Sequence, residues 1–116
     1  MEVFVELRNG RWIRVAGWLK QTPSPRRSTK YILVGESVEN PPKLSSEHTL
    51  RVPASILNKI ILSLLDSGEN SIVVFERAGV AHYIAKAESR RALQIVNNIV
   101  EEVKKSRKTS RSGQSA

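Results

Sequence analysis

Apolar and polar residues alternate along the first twenty positions, and the alternation breaks at Asn9-Gly10. Period-two alternation on both sides of an Asn-Gly pair is a hairpin signature, because both residues accept the left-handed backbone of a tight turn. It predicts one strand over Glu2 to Leu7 and a second over Arg11 to Lys20. A two-residue loop would put Val3, Val5 and Leu7 on one face with Trp12, Arg14 and Trp18, mixing charge into the core. A three-residue loop, Arg8-Asn9-Gly10 with Gly10 left-handed, groups them with Ile13, Val15 and Leu19 instead. The second register keeps the apolar set unbroken, and we adopt it.

Residues 21–29, with Pro23, Pro25, Arg26 and Arg27, read as an exposed loop. A third strand follows over Lys30 to Glu36, then a second long loop, Ser37 to Glu47, containing Pro41-Pro42. A short fourth strand, His48 to Val52, runs into Pro53, which suits the first turn of a helix. In that helix Ile56, Leu57, Ile60, Ile61, Leu64 and Leu65 recur at helical spacing, and Gly68 stops it. Ser71 to Glu76 and Val80 to Ala85 form another hairpin around Arg77-Ala78-Gly79. The last helix runs from about Ala87 to Lys105, its apolar face formed by Ala92, Leu93, Val96, Ile99, Val100 and Val103.

The predicted fold class is therefore α+β, an antiparallel sheet in the order β-β-β-β-α-β-β-α with two helices packed on it. A length of 116 residues fits one core. The domain is expected over residues 1–105, followed by a disordered basic tail over 106–116, where the only apolar residue is the final alanine.

Charge changes this picture through its placement. The chain carries 19 Lys and Arg against 11 Asp and Glu, a formal +8. Residues 1–30 hold seven basic and two acidic side chains, residues 31–100 seven of each, and residues 101–116 five and two. Clustered like charges repel one another, so an excess at both ends and none in the middle points to a polyanionic partner.

In the adopted register the face opposite the aliphatic one carries Phe4, Trp12, Arg14, Trp18 and Lys20, together with Glu2, Glu6 and Ala16. Unpaired bases stack on such rings at about 1–3 kcal/mol each, while cations neutralise the phosphates between them. Trp12 and Trp18 would stand about 20 Å apart at the strand rise, far enough to serve separate nucleotides. The competing use is a second core layer, with both indoles beneath the last helix. Glu6, across from Arg14, offers that cation a structural pairing. Arg26, Arg27 and Lys30, with Lys20, make the following loop a phosphate-clamp candidate. Arg90 and Arg91 fall where a helix N-terminus favours an anion. Lys104, Lys105, Arg107, Lys108 and Arg111 would add sequence-blind attraction.

Gly10-Arg11-Trp12-Ile13-Arg14-Val15, after a strand bearing Phe4 and before two more strands and a helix, resembles the ββββα unit of the PUR proteins. More loosely it resembles the Whirly and positive-cofactor-four folds. The likeness covers residues 1–67. It implies binding of single-stranded DNA or RNA on the sheet face, with Phe4, Arg11, Trp12 and Arg14 at the matching positions. The second half departs from the PUR pattern in offering only ββα.

Other chemistry finds little support. The chain has no cysteine, hence no disulfide, thiolate metal site or Cys nucleophile, and a reducing compartment fits. It has no Gly-rich phosphate loop, Gly-x-Ser-x-Gly elbow or His-Glu-x-x-His pair, and His48 and His82 are far apart. The stretch Ile56 to Leu65 is too short and too polar to cross a bilayer. The expectation is a cytoplasmic protein, nucleoid-associated if prokaryotic. It is expected not to be an enzyme, to have no cofactor or metal, not to bind a membrane, and to bind single-stranded DNA or RNA. Phe4, Arg11, Trp12, Arg14, Trp18, Lys20, Arg26, Arg27 and Lys30 are its candidate contacts. The alternative is an assembly subunit of a ribonucleoprotein or transcription complex. Open sheet edges favour a homodimer.

Overall fold

A computed structural model of the chain describes the backbone of residues 1–21, 30–44 and 49–115, and the side chains of these except 30, 31 and 107–115. The elements are β1 (Glu2–Glu6), β2 (Trp12–Gln21), β3 (Lys30–Val38), β4 (Thr49–Pro53), a 3-10 turn (Ala54–Ile56), α1 (Leu57–Asp66), β5 (Ile72–Arg77), β6 (His82–Ala87) and α2 (Arg90–Ser115). The six strands form one sheet in the order β3-β2-β1-β5-β6-β4.

The sheet is mixed, which corrects the expectation of a purely antiparallel one. β1 and β5 run parallel, Val3 beside Val73 and Val5 beside Phe75, while every other neighbouring pair is antiparallel. Val3-Phe4-Val5 and Val73-Val74-Phe75 are unbroken buried runs, and strands buried on both faces belong at the centre of a sheet. Each is the first strand of a hairpin whose second strand takes the outer side. The two therefore meet directly and run the same way. β4 pairs with β6 at the far edge, so the β3–β4 connection must pass from one edge of the sheet to the other.

The first turn has the expected three-residue form. Leu7 N–H donates to the Arg11 carbonyl at 2.7 Å, Gly10 N–H to that of Leu7 at 3.0 Å, and Gly10 sits at φ 82°. Val5 pairs with Ile13 and Phe4 with Arg14, placing Val3, Val5, Ile13 and Val15 on one face. The helices cover this face. Val3, Val5, Val15, Val73 and Phe75 join Leu57, Ile60, Ile61 and Leu64 of α1 and Ala92, Val96, Ile99 and Val100 of α2 in one cluster. Ser89 Oγ accepts from Ala92 N–H at 3.2 Å and caps α2. The second hairpin turns later than the spacing predicts, with β6 starting at His82 and Val80 88% exposed. α2 continues to Ser115, through the segment expected as a tail without regular structure. No Pro or Gly occurs in it before Gly113, and its Lys and Arg are good helix formers.

One local feature reorganises the first hairpin. β1 pairs with Trp12 to Arg14 of β2, but the β2–β3 ladder runs on to Gln21 and Lys30, so its far half projects as a two-stranded arm. At the root of the arm Val15 pairs with Gly35 and Gly17 with Val34, leaving Ala16 as a bulge. The strands approach closely here. A Cβ on Gly35 would lie 2.5 Å from the Arg14 carbonyl oxygen. One extra residue inverts the side-chain alternation beyond it. Trp18 pairs with Leu33 on the helix side, and Leu19 pairs with Ile32 on the opposite side.

Candidate functional site

The face away from the helices is built by Phe4, Trp12 and Arg14 of the first hairpin, Val74 and Glu76 of β5, and Ile84 and Lys86 of β6, as the strand registers require. Phe4 and Val74 are 7% and 5% exposed yet stand outside the main core cluster, so this face has a small apolar centre of its own. The β3–β4 connection crosses it. Residues 40–44 line a cleft of about 460 Å³ with Trp12, Val74, Glu76 and Lys86. On its other side Trp12 borders a second cleft, of about 520 Å³, with Gly10, Arg11, Ser37, Val38 and Glu39. Trp12 is thus a half-buried indole standing between two openings.

The cations on this face differ in their partners. Arg14 Nη1 lies 3.5 Å from Glu2 Oε1, and Lys86 Nζ lies 2.7 Å from Glu76 Oε2. Each pair is about half-exposed, so each contributes roughly 0–1 kcal/mol and exchanges easily for another anion. Arg11 and Lys43 have no ion pair among the described residues and sit at the rims of the two clefts. Glu6 does not pair with Arg14. Its Oε1 accepts from Arg77 N–H at 2.9 Å, tying the end of β1 to that of β5.

The expected residues therefore divide. Phe4, Arg11, Trp12 and Arg14 are brought together, although Phe4 is buried beneath the others rather than displayed. Trp18 is on the opposite side of the sheet, and this corrects the shared aromatic face. It borders a shallow groove with Leu62, Ser63 and Asp66 of α1, and the Ala16 bulge is the cause. Lys20, two residues further on, is carried to the same side and is exposed. Lys30 pairs with Gln21 at the end of the arm, while Arg26 and Arg27 lie outside the described residues. Arg91 is held by Glu69, Nε to Oε1 at 2.8 Å.

Sequence reasoning missed Lys43, Lys86 and the Pro41-Pro42 segment. Nothing local marks a loop as crossing a sheet, and Lys86 fell just past the predicted end of its strand at Ala85, whereas β6 runs on to Ala87. No group of three or more His, Cys, Asp or Glu able to hold a metal occurs among the described residues, and no helix among them is long and apolar enough to cross a membrane. No family model, curated protein or solved structure matches the chain.

Proposed function

We propose that the protein binds single-stranded nucleic acid, DNA or RNA, with Trp12 as the stacking platform and Arg11 and Lys43 as the first phosphate partners. The observation that carries this reading is the half-buried indole between two clefts, each with a cation at its rim. A base has a flat π-face and the adjoining phosphate a full charge, and this pairing of ring and cation meets both. Arg14 and Lys86 join on ligand binding by leaving their carboxylates, an exchange between weak surface pairs. The excess of basic residues at both ends of the chain adds attraction that is independent of base identity. The alternative role, an assembly subunit, draws on a different feature, the exposed aliphatic side chains of the β2–β3 arm.

The test is a fluorescence titration with oligo(dT), oligo(U) and duplex DNA in a Trp18→Phe background, which leaves Trp12 as the sole indole. Quenching by the single strands is expected, and Trp12→Ala, which leaves no indole and is read instead by the anisotropy of a fluorescein-labelled oligo(dT), should lose about 1–3 kcal/mol of affinity. Equal binding of duplex, or a Trp12→Ala variant with undiminished affinity, would reject stacking at this position.

A further inference from the structure

We infer that the outer edge of β3 is a self-association surface, where a second copy of this chain pairs antiparallel about a two-fold axis at Leu33 to join two six-stranded sheets into one. The two edges of the sheet are unequal. β4 offers five residues and closes on Pro53, with Arg51 exposed, which blunts it against strand addition. β3 offers nine residues from Lys30 to Val38, none of them proline, and among the described residues no strand pairs with its outer side.

The exposed apolar side chains gather beside that edge. Leu19, Ile32 and Val34 are 58%, 42% and 42% exposed, and the registers put all three on the face away from the helices. Single exposed aliphatics are ordinary, but three neighbours on one protruding arm make a patch that calls for cover.

The pattern along β3 is complementary to itself. With the axis at Leu33, Ile32 falls opposite Val34 of the second copy and Lys30 opposite Glu36, each relation occurring twice. Moving the axis to Val34 sets Ile32 against Glu36, and moving it to Ile32 sets Lys30 against Val34. Only the first register pairs aliphatic with aliphatic and cation with anion, the combinations that stabilise neighbouring strands. Such a two-fold axis is perpendicular to the sheet, so the helices of both copies lie on the same side of the joined sheet. The occupant is therefore a second copy rather than an unrelated strand.

Sedimentation equilibrium of the full chain, without nucleic acid, tests this apart from the proposed binding. A species of twice 13.0 kDa is expected. Glu36→Lys and Lys30→Glu alone should each weaken the dimer by roughly tenfold, the effect of turning two symmetric attractions into repulsions. The double variant Lys30→Glu plus Glu36→Lys should restore it, and Val34→Lys should give monomer with unchanged circular dichroism. A mass of 13.0 kDa at every concentration would overturn the inference. So would a dimer indifferent to Val34→Lys, or a double swap no tighter than either single one.

Discussion

Trp12 and Trp18, six residues apart on one strand, lie on opposite faces of the sheet, because Ala16 drops out of the pairing between them. The two indoles consequently do different work. Trp12 stands between the clefts beneath the β3–β4 connection, and Trp18 leans on α1 beside Leu62 and Asp66. Trp18→Ala is expected to lower stability by about 2 kcal/mol, below the 3–5 kcal/mol of a fully buried aromatic because Trp18 is 41% exposed. Affinity for single strands should not change. Urea denaturation beside an oligo(dT) titration measures both, and a binding loss equal to that of Trp12→Ala would contradict the division of roles.

Gly35 holds the bulge closed. An added methyl would meet the Arg14 carbonyl oxygen at 2.5 Å, a backbone atom that cannot swing aside, whereas nothing lies within 4 Å of one added at Gly17. Gly35→Ala should therefore destabilise by about 1–3 kcal/mol through overpacking. Gly17→Ala should be neutral or stabilise by up to about 1 kcal/mol, since glycine is costly within a strand. Denaturation midpoints of the two variants decide the matter, and equal shifts would count against a close approach at Arg14.

Every element with strong periodicity was legible in the chain. The α1 stripe of Leu57, Ile60, Ile61 and Leu64 is buried, and Asn9-Gly10 makes the three-residue turn that sets the Val5–Ile13 register. Local pattern could not show which strands become neighbours after a crossover. Nothing in residues 2–6 reveals a parallel partner seventy residues away, or that β4 goes to the far edge. The half of the site formed by Pro41, Pro42, Lys43 and Lys86 depends on those crossovers. The bulge was hidden for another reason: Ala16-Gly17 fits a continuing strand on composition alone. Its clearest mark was Gly35 on the partner strand, a glycine within a strand directly after the aliphatic run Ile32-Leu33-Val34.

Glu6 joins the central strands at their far end. Its carboxylate accepts the Arg77 backbone N–H at 2.9 Å in a partly buried position, 71 residues away in sequence. Glu6→Ala leaves that N–H without the acceptor and should cost about 1–3 kcal/mol, while Glu6→Gln keeps a carbonyl there and should cost less than half as much. Amide hydrogen exchange at Arg77 reads this directly. Faster exchange in Glu6→Ala than in Glu6→Gln is expected, and identical rates would dismiss the bond as a stabilising contact.

Salt dependence separates the two sources of the proposed nucleic-acid affinity. Residues 106–116 carry Arg107, Lys108 and Arg111 and no acidic side chain, so whatever they add is counterion release without a stacking surface. Each phosphate contact on a single strand contributes about 0.7 to the slope of log affinity against log salt concentration, so deleting 106–116 should flatten it by up to about 2. The proposed preference for single strands over duplex should survive the deletion, because Trp12, its proposed stacking platform, is retained. If the truncated chain binds duplex and single strand alike, the discriminating surface is in the C-terminal segment, and the Trp12 clefts are not the site of recognition.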